Sequence, residues 1–121
     1  MLDGYGGSST LLNDKKLVRS CLDELCELMK MYKLGPVRVY HAPDNHMKDP
    51  GGWSGFVVIA ESHISIHTFP RRKFLTADIY SCKAGLDANF FVDFLKRKFK
   101  LEEIEMKMVK RGTKYPERNI V

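Results

Sequence analysis

The 121-residue sequence contains few cysteines, no long apolar run and no export signal. Its three cysteines, Cys21, Cys26 and Cys82, are an odd number without the spacing of metal ligands, which favours free thiols over disulfides. No apolar stretch is long enough to span a bilayer, and the opening "MLDGYGGSST" has no basic segment followed by an apolar one. We therefore expect a cytoplasmic protein without a membrane partner, folded as one domain over residues 1–121.

Acidic residues are fewer than basic ones, so the formal net charge is +5. Most of the excess positive charge lies in "KRKFK" (96–100) and "KMVKRGTKYPER" (107–118). Clustered cations are typical of nucleic-acid binding, but no nucleic-acid motif accompanies them here. A solvated helix face with a basic tail explains the charge better, and an anionic substrate is a third use. We expect no nucleic-acid partner.

Two helices are predicted from apolar spacing. The first has apolar residues from Leu17 to Met29, can be capped by Asn13 or Asp14, and is predicted to end at Gly35 and Pro36. Cys21 and Cys26 fall within its apolar set, which predicts core packing. The second helix begins after Asp87 and carries an aromatic core stripe formed by Phe90, Phe91, Phe94, Leu95 and Phe99.

Five strands are predicted from alternating patterns, over residues 37–43, 54–60, 62–69, 74–81 and 103–112. There is almost no room for a turn between the second and third strands. The combination predicts an α+β fold, a two-layer sandwich in which an antiparallel β-sheet carries two helices on one face.

The segment "IAESHISIHTFP" (59–70) places reactive side chains in a strand pattern. His63 and His67 share a strand face with Glu61, and two histidines with a carboxylate can bind zinc. However, His-x-x-x-His usually binds metal from a helix, so we expect no metal. A serine hydrolase is also disfavoured, because the Gly-x-Ser-x-Gly elbow is missing.

A serine at a tight, strained junction permits another reaction. The Ser62 hydroxyl can attack the carbonyl carbon of the preceding peptide bond and convert the amide to an ester. Removal of the Ser62 α-proton then breaks the chain after Glu61. The products are a chain of residues 1–61 and a chain of residues 62–121 that begins, after loss of ammonia, with a pyruvoyl group. Such a ketone can condense with an amine and act as an electron sink.

The string "GGWSGFVVIAESHISIHTFP" followed by "ADIYSC" closely resembles the pyruvoyl-dependent S-adenosylmethionine decarboxylases of prokaryotic type. The opening "LDGYGG" and the late "RGTKYP" also look like family features in family order. The resemblance implies cleavage between Glu61 and Ser62, a pyruvoyl cofactor derived from Ser62, and a product used in polyamine biosynthesis. It also implies that Ser54 assists processing, His67 acts in the elimination step, and Cys82 returns a proton to the substrate.

The resemblance further implies a homodimer of processed protomers with active sites near the interface. It implies S-adenosylmethionine as substrate, with Trp53 or Phe69 as candidates to stack on adenine. The sequence departs from the family at Arg71, where relatives often have a glutamate that holds the ribose hydroxyls, and at Lys83, where many have glycine. A guanidinium only donates hydrogen bonds, so Arg71 cannot hold the ribose hydroxyls as a glutamate does. Two alternatives therefore stay open: a pyruvoyl-dependent decarboxylase of arginine or ornithine, and an unprocessed regulatory relative.

Overall fold

The computed structural model describes residues 1–45, 51–80, 87–110 and 114, and the sheet it contains has six antiparallel strands. Their spatial order is β2-β3-β4-β5-β1-β6. The strands are β1 (Leu2–Tyr5), β2 (Arg38–Ala42), β3 (Gly52–Ile59), β4 (Ser62–Phe69), β5 (Phe74–Tyr80) and β6 (Glu103–Met106). The α+β prediction is confirmed.

In the described part of the chain three α-helices accompany the sheet: α1 (Ser9–Leu12), α2 (Lys15–Leu28) and α3 (Ala88–Phe99). Asp14 caps α2 by accepting a hydrogen bond from the Leu17 amide, and Asp87 caps α3 by accepting one from the Phe90 amide. The short helix α1 was not predicted. Its single turn is too short for a periodic pattern, and Ser8 caps it.

One face of the sheet packs against α2 and α3 to form the core. Alternate residues of the central strands are buried on that face, and the helices contribute the other half of the core. A Cβ atom at Gly55 of β3 would lie 2.8 Å from Leu22 and 2.9 Å from Val18, both on α2. The odd-numbered residues of β3 therefore face the helices, and Ser54, Phe56 and Val58 face the other way.

The predicted end of the first helix was wrong, because α2 stops at Leu28 rather than near Gly35. Lys30 adopts a left-handed backbone with φ 54°, and the chain then runs alongside β3. Lys33 forms an antiparallel bridge with Ile59 there. The backbone of residues 32–34 forms hydrogen bonds with β3 that it could not form if the helix continued to Gly35.

Two strand predictions also needed correction. The opening Leu2–Tyr5 is a strand, inserted between β5 and β6, although four residues containing Gly4 gave no detectable pattern. The last strand ends at Met106, since β1 offers it only four partners, and the described residues 107–110 lie outside it.

Candidate active site

The turn between β3 and β4 carries the predicted cleavage site. Ile59 and Ser62 are paired across the ladder, so Ala60 and Glu61 alone make the turn. Glu61 has φ 68°, a left-handed backbone that costs a residue with a side chain roughly 1–2 kcal/mol. Turns of two residues with positive φ at the second position favour glycine or asparagine there. The peptide bond after Glu61 thus follows a strained residue.

Ser62 directs its hydroxyl at that peptide bond. Its Oγ lies 2.5 Å from the carbonyl oxygen of Glu61 and donates a hydrogen bond to it. The oxygen nucleophile therefore already lies beside the carbonyl group that it would attack.

Ser54 and His67 form a second cluster on the side of the sheet away from the helices. They are partners across the β3–β4 ladder, and His67 Nδ1 lies 2.9 Å from Ser54 Oγ. When the proton is on Nδ1, the serine oxygen accepts it in a hydrogen bond and Nε2 is the basic nitrogen. The side chain of His67 is exposed, so a reacting group can reach it.

The two clusters are far apart within one chain. His67 lies five positions after Ser62 on the same strand. At the rise per residue of a β-strand, their Cα atoms are about 16 Å apart. No single side chain of that strand spans such a length. The structure brings Ser54 to His67 but brings neither to the Glu61–Ser62 bond.

A small cavity of about 170 Å³ adjoins Ser54 and His67. Phe69 lines it, and its opposite wall comes from the loop after β2, including Pro43 and Asn45. Phe69 also packs on Phe74, with ring centroids 5.5 Å apart, which fixes the orientation of its ring. Of the two aromatic candidates, Phe69 therefore lies beside His67.

Trp53 lies on the opposite side of the sheet. Its indole Nε1 donates to the backbone oxygen of Asn13 at 3.1 Å, and the ammonium of Lys15 lies over the ring at 5.7 Å. This places Trp53 against the start of α2, away from Ser54 and His67. Strand alternation explains the separation, because Trp53 and Ser54 are consecutive residues.

Arg71, at the position where relatives often carry glutamate, pairs with a carboxylate of the loop after β2. Its Nη1 lies 3.0 Å from Oδ2 of Asp44. The Arg71 side chain is 76% exposed, whereas that of Asp44 is 24% exposed. The loop thus holds a partly buried carboxylate between Pro43 and Asn45. Sequence reasoning missed Asp44, and its only signal was the missing carboxylate at position 71.

The cysteines fall into two groups. Cys21 and Cys26 are buried, which confirms the core prediction; burial raises the pKa of Cys21 to about 12 and also raises the pKa of Cys26. Both are therefore neutral thiols at neutral pH. Cys82, the predicted proton donor, and Lys83 lie outside the described residues.

Residues 1–45, 51–80, 87–110 and 114 contain no group of three histidine, cysteine or carboxylate side chains that could hold a metal ion. Across those same ranges, none of the helices has the length and apolar character needed to cross a membrane.

The sequence model described as S-adenosylmethionine decarboxylase matches residues 1–112. The chain belongs to the S-adenosylmethionine decarboxylase family. The match includes the strained turn, the Ser54–His67 pair and the position of Cys82.

Among members of this family, a protein of Pyrococcus horikoshii named S-adenosylmethionine decarboxylase proenzyme is 38% identical over 69 residues, or 57% of this chain and 50% of that protein. A protein of Clostridium botulinum (strain Langeland) with the same name is 37% identical over 67 residues, which cover 55% of this chain and 58% of that protein. The chain spans about half the length of the curated relatives it matches.

A solved structure supports the fold. The crystal structure of the adenosylmethionine decarboxylase from Aquifex aeolicus VF5 superposes with a TM-score of 0.71 at 23% identity, covering 91% of this chain and 89% of that one. At that identity the likeness establishes the shared α+β fold.

Proposed function

We propose that the chain is a self-processing, pyruvoyl-dependent S-adenosylmethionine decarboxylase that releases CO2 and supplies the decarboxylated product to polyamine biosynthesis. The observation that carries this proposal is the turn at Glu61, where a strained residue precedes a serine whose hydroxyl touches the carbonyl of the bond to be cut. Membership of the family supports the same conclusion.

Processing follows from the residues of this turn. Ser62 Oγ adds to the carbonyl carbon of Glu61, the C–N bond breaks, and the hydroxyl proton passes to the nitrogen, which leaves an ester. A base then removes the Ser62 α-proton, and the Glu61 carboxylate departs. Hydrolysis with loss of ammonia leaves the pyruvoyl group at the start of the chain of residues 62–121. The residues at this turn fit that group, because a serine follows the strained position.

The reaction on the substrate uses both the new group and the surrounding side chains. Once formed, the pyruvoyl carbonyl supplies the electron sink that decarboxylation requires. Cys82 protonates the substrate α-carbon, and Phe69 offers a ring face on which adenine stacks. Asp44 accepts the ribose hydroxyls in place of the family glutamate, while Arg71 holds its carboxylate.

The active enzyme is a homodimer in which each site takes residues from both chains. The support is the separation of about 16 Å along β4 between Ser62 and His67, which a second copy can remove. A twofold axis that lies above the exposed face of the sheet, perpendicular to β4 and opposite residues 64–65, brings the Ser62 end of β4 in each chain over His67 of the other, because that point is midway between them.

The sheet face opposite the helices suits such a contact. Tyr40, Phe56 and Val58 are 60%, 40% and 41% exposed on it. His63 lies between the rings of Phe56 and Tyr80, with centroid distances of 5.8 and 5.6 Å. An exposed apolar surface that also carries Ser54 and His67 favours burial against a partner copy.

One observation favours a second candidate, the decarboxylation of arginine. Asp44 already binds a guanidinium, that of Arg71, so the same carboxylate could hold the side chain of an arginine substrate.

The intact mass of freshly purified protein, measured under denaturing conditions, tests the proposal. We expect two chains, residues 1–61 and residues 62–121, the second without an α-amine. The Ser62→Ala variant should remain whole, while Ser65→Ala, a control on the same strand, should be cut. Release of CO2 from S-adenosylmethionine, arginine and ornithine then identifies the substrate. A wild-type chain that remains whole over long incubation would refute the proposal.

A further inference from the structure

The edge of β3 next to the cleavage turn is covered by a segment outside the named strands. Strand β2 pairs with β3 only as far as the pair Arg38–Phe56. Beyond that point residues 32–34 take its place, since the amide of Leu34 donates to the oxygen of Val58 at 2.9 Å. The amide of Ala60 donates to the oxygen of Tyr32 at 2.8 Å. The second bond ends on the residue directly before Glu61.

The same segment is fixed to helix α2 by a side chain. Lys33 Nζ lies 2.5 Å from Oδ1 of Asp23, one turn before the end of the helix. This hydrogen bond raises the pKa of Lys33, which is therefore charged over the physiological range. The sharp exit from the helix at Lys30 positions the segment for both contacts.

We propose that residues 32–34, held by the Lys33–Asp23 ion pair, form a clamp that keeps the Glu61–Ser62 turn in its strained conformation and thereby sets the rate of self-cleavage. The proposal rests on the proposed function, because it concerns the first step of processing. Without the clamp the edge of β3 beside the Ala60–Glu61 turn loses its hydrogen-bond partners, and the turn can relax to a backbone with negative φ at Glu61. Relaxation would move the Glu61 carbonyl away from Ser62 Oγ. Lys33 and Asp23 are thus positioning residues, since neither contacts the reacting atoms.

The chain offers a matched control for this ion pair. Lys98 and Glu24 pair at 2.8 Å, and their side chains are 33% and 44% exposed, against 38% and 43% for Lys33 and Asp23. This second pair joins α3 to α2 and does not contact the turn. Its loss removes a comparable surface interaction and leaves the clamp intact.

The experiment follows the conversion of uncut chain by intact mass after a pulse of cell-free synthesis. We expect Lys33→Ala and Asp23→Asn to slow cleavage about threefold, the value of a surface ion pair. Leu34→Pro, which removes the bond to Val58, should slow it about tenfold. Lys98→Ala and Glu24→Gln should be cut at the wild-type rate. The exchange of charges in Lys33→Asp/Asp23→Lys should restore most of the rate, because the clamp depends on the pairing of the two side chains and not on either one alone.

Hydroxylamine identifies the step at which a chain stalls, because it cleaves the ester but not the amide. Uncut Leu34→Pro chain should resist hydroxylamine, while uncut His67→Ala chain should be cut by it. The clamp would be refuted, and the proposed function left standing, if the variants at Lys33, Asp23 and Leu34 were cut as fast as the Lys98 and Glu24 controls. The same conclusion would follow if they stalled as the ester. A wild-type chain that is never cut would refute the proposed function together with the clamp.

Discussion

Asp44 and Arg71 form an ion pair between residues that lie far apart in sequence. Arg71 cannot accept hydroxyl protons, but its guanidinium lies 3.0 Å from the Asp44 carboxylate on the loop after β2. Position 44 thus carries a carboxylate in the loop whose neighbouring residues Pro43 and Asn45 line the cavity. No local sequence pattern connects the two side chains of this ion pair.

Replacing Asp44 by asparagine tests its role in substrate binding. Loss of a charged acceptor should raise the KM for S-adenosylmethionine roughly tenfold or more, with a small effect on kcat and none on self-cleavage. Steady-state CO2 release measures both constants. Asp93→Asn, an exposed carboxylate on α3, is the control. An unchanged KM for the nucleoside with a raised KM for arginine would transfer the role to the second substrate.

Strand β3 is the element that organises the site. It pairs with β2 and with β4, it carries Ser54, and its end forms the cleavage turn. Close approach of β3 to β4 requires Gly52, since a Cβ atom there would overlap the carbonyl oxygen of Thr68. The spacing of these two strands therefore depends on one missing side chain beside Ser54 and His67.

Gly52→Ala should lower the free energy of unfolding by about 2–3 kcal/mol, because the backbone of β3 must shift away from β4. Denaturant unfolding in a Ser62→Ala background, where the chain stays uncut, measures this change. Gly35→Ala is the matched control, since no atom lies within 4 Å of a Cβ atom there, and it should change stability by less than about 0.5 kcal/mol. Equal effects of the two substitutions would contradict the close contact.

In the whole molecule, two of the proposed catalytic residues lie far apart within one chain. The hydroxyl of Ser62 and the imidazole of His67 lie at opposite ends of β4, and an apolar face lies between them. A two-layer domain of this size buries only one side of its sheet. A second copy would bury the other side and would bring the two ends together.

Co-expression of Ser62→Ala and His67→Ala chains distinguishes shared sites from sites within one chain. In a mixed dimer the His67→Ala chain contributes Ser62 and its partner contributes His67, so we expect that chain to be cut and the Ser62→Ala chain to stay whole. Intact mass identifies which chain is cut, and either variant expressed alone is the control. An absence of cleavage in the mixture, with mixed dimers present, would place both residues in one chain.

Much of the fold could be predicted from the sequence, because its signals are local. The caps at Asp14 and Asp87 and the alternation of Ile64 and Ile66 depend on neighbours a few residues away. Strand β1 and the early end of α2 could not be predicted, since each is stabilised by partners distant in sequence: β5 and β6 for the strand, and Ile59 for the residues after the helix.

The α+β fold, the tight junction at Glu61 and Ser62, and the strand positions of Ser54 and His67 follow from the sequence alone, because side-chain type and spacing are properties of the chain. The pairing of Ser54 with His67, the contact of Asp44 with Arg71, and the hydrogen bonds of residues 32–34 to β3 depend on the folded structure. The physical reason is that burial and strand pairing choose contacts between segments that are far apart in sequence. Local patterns carry no information about those distances.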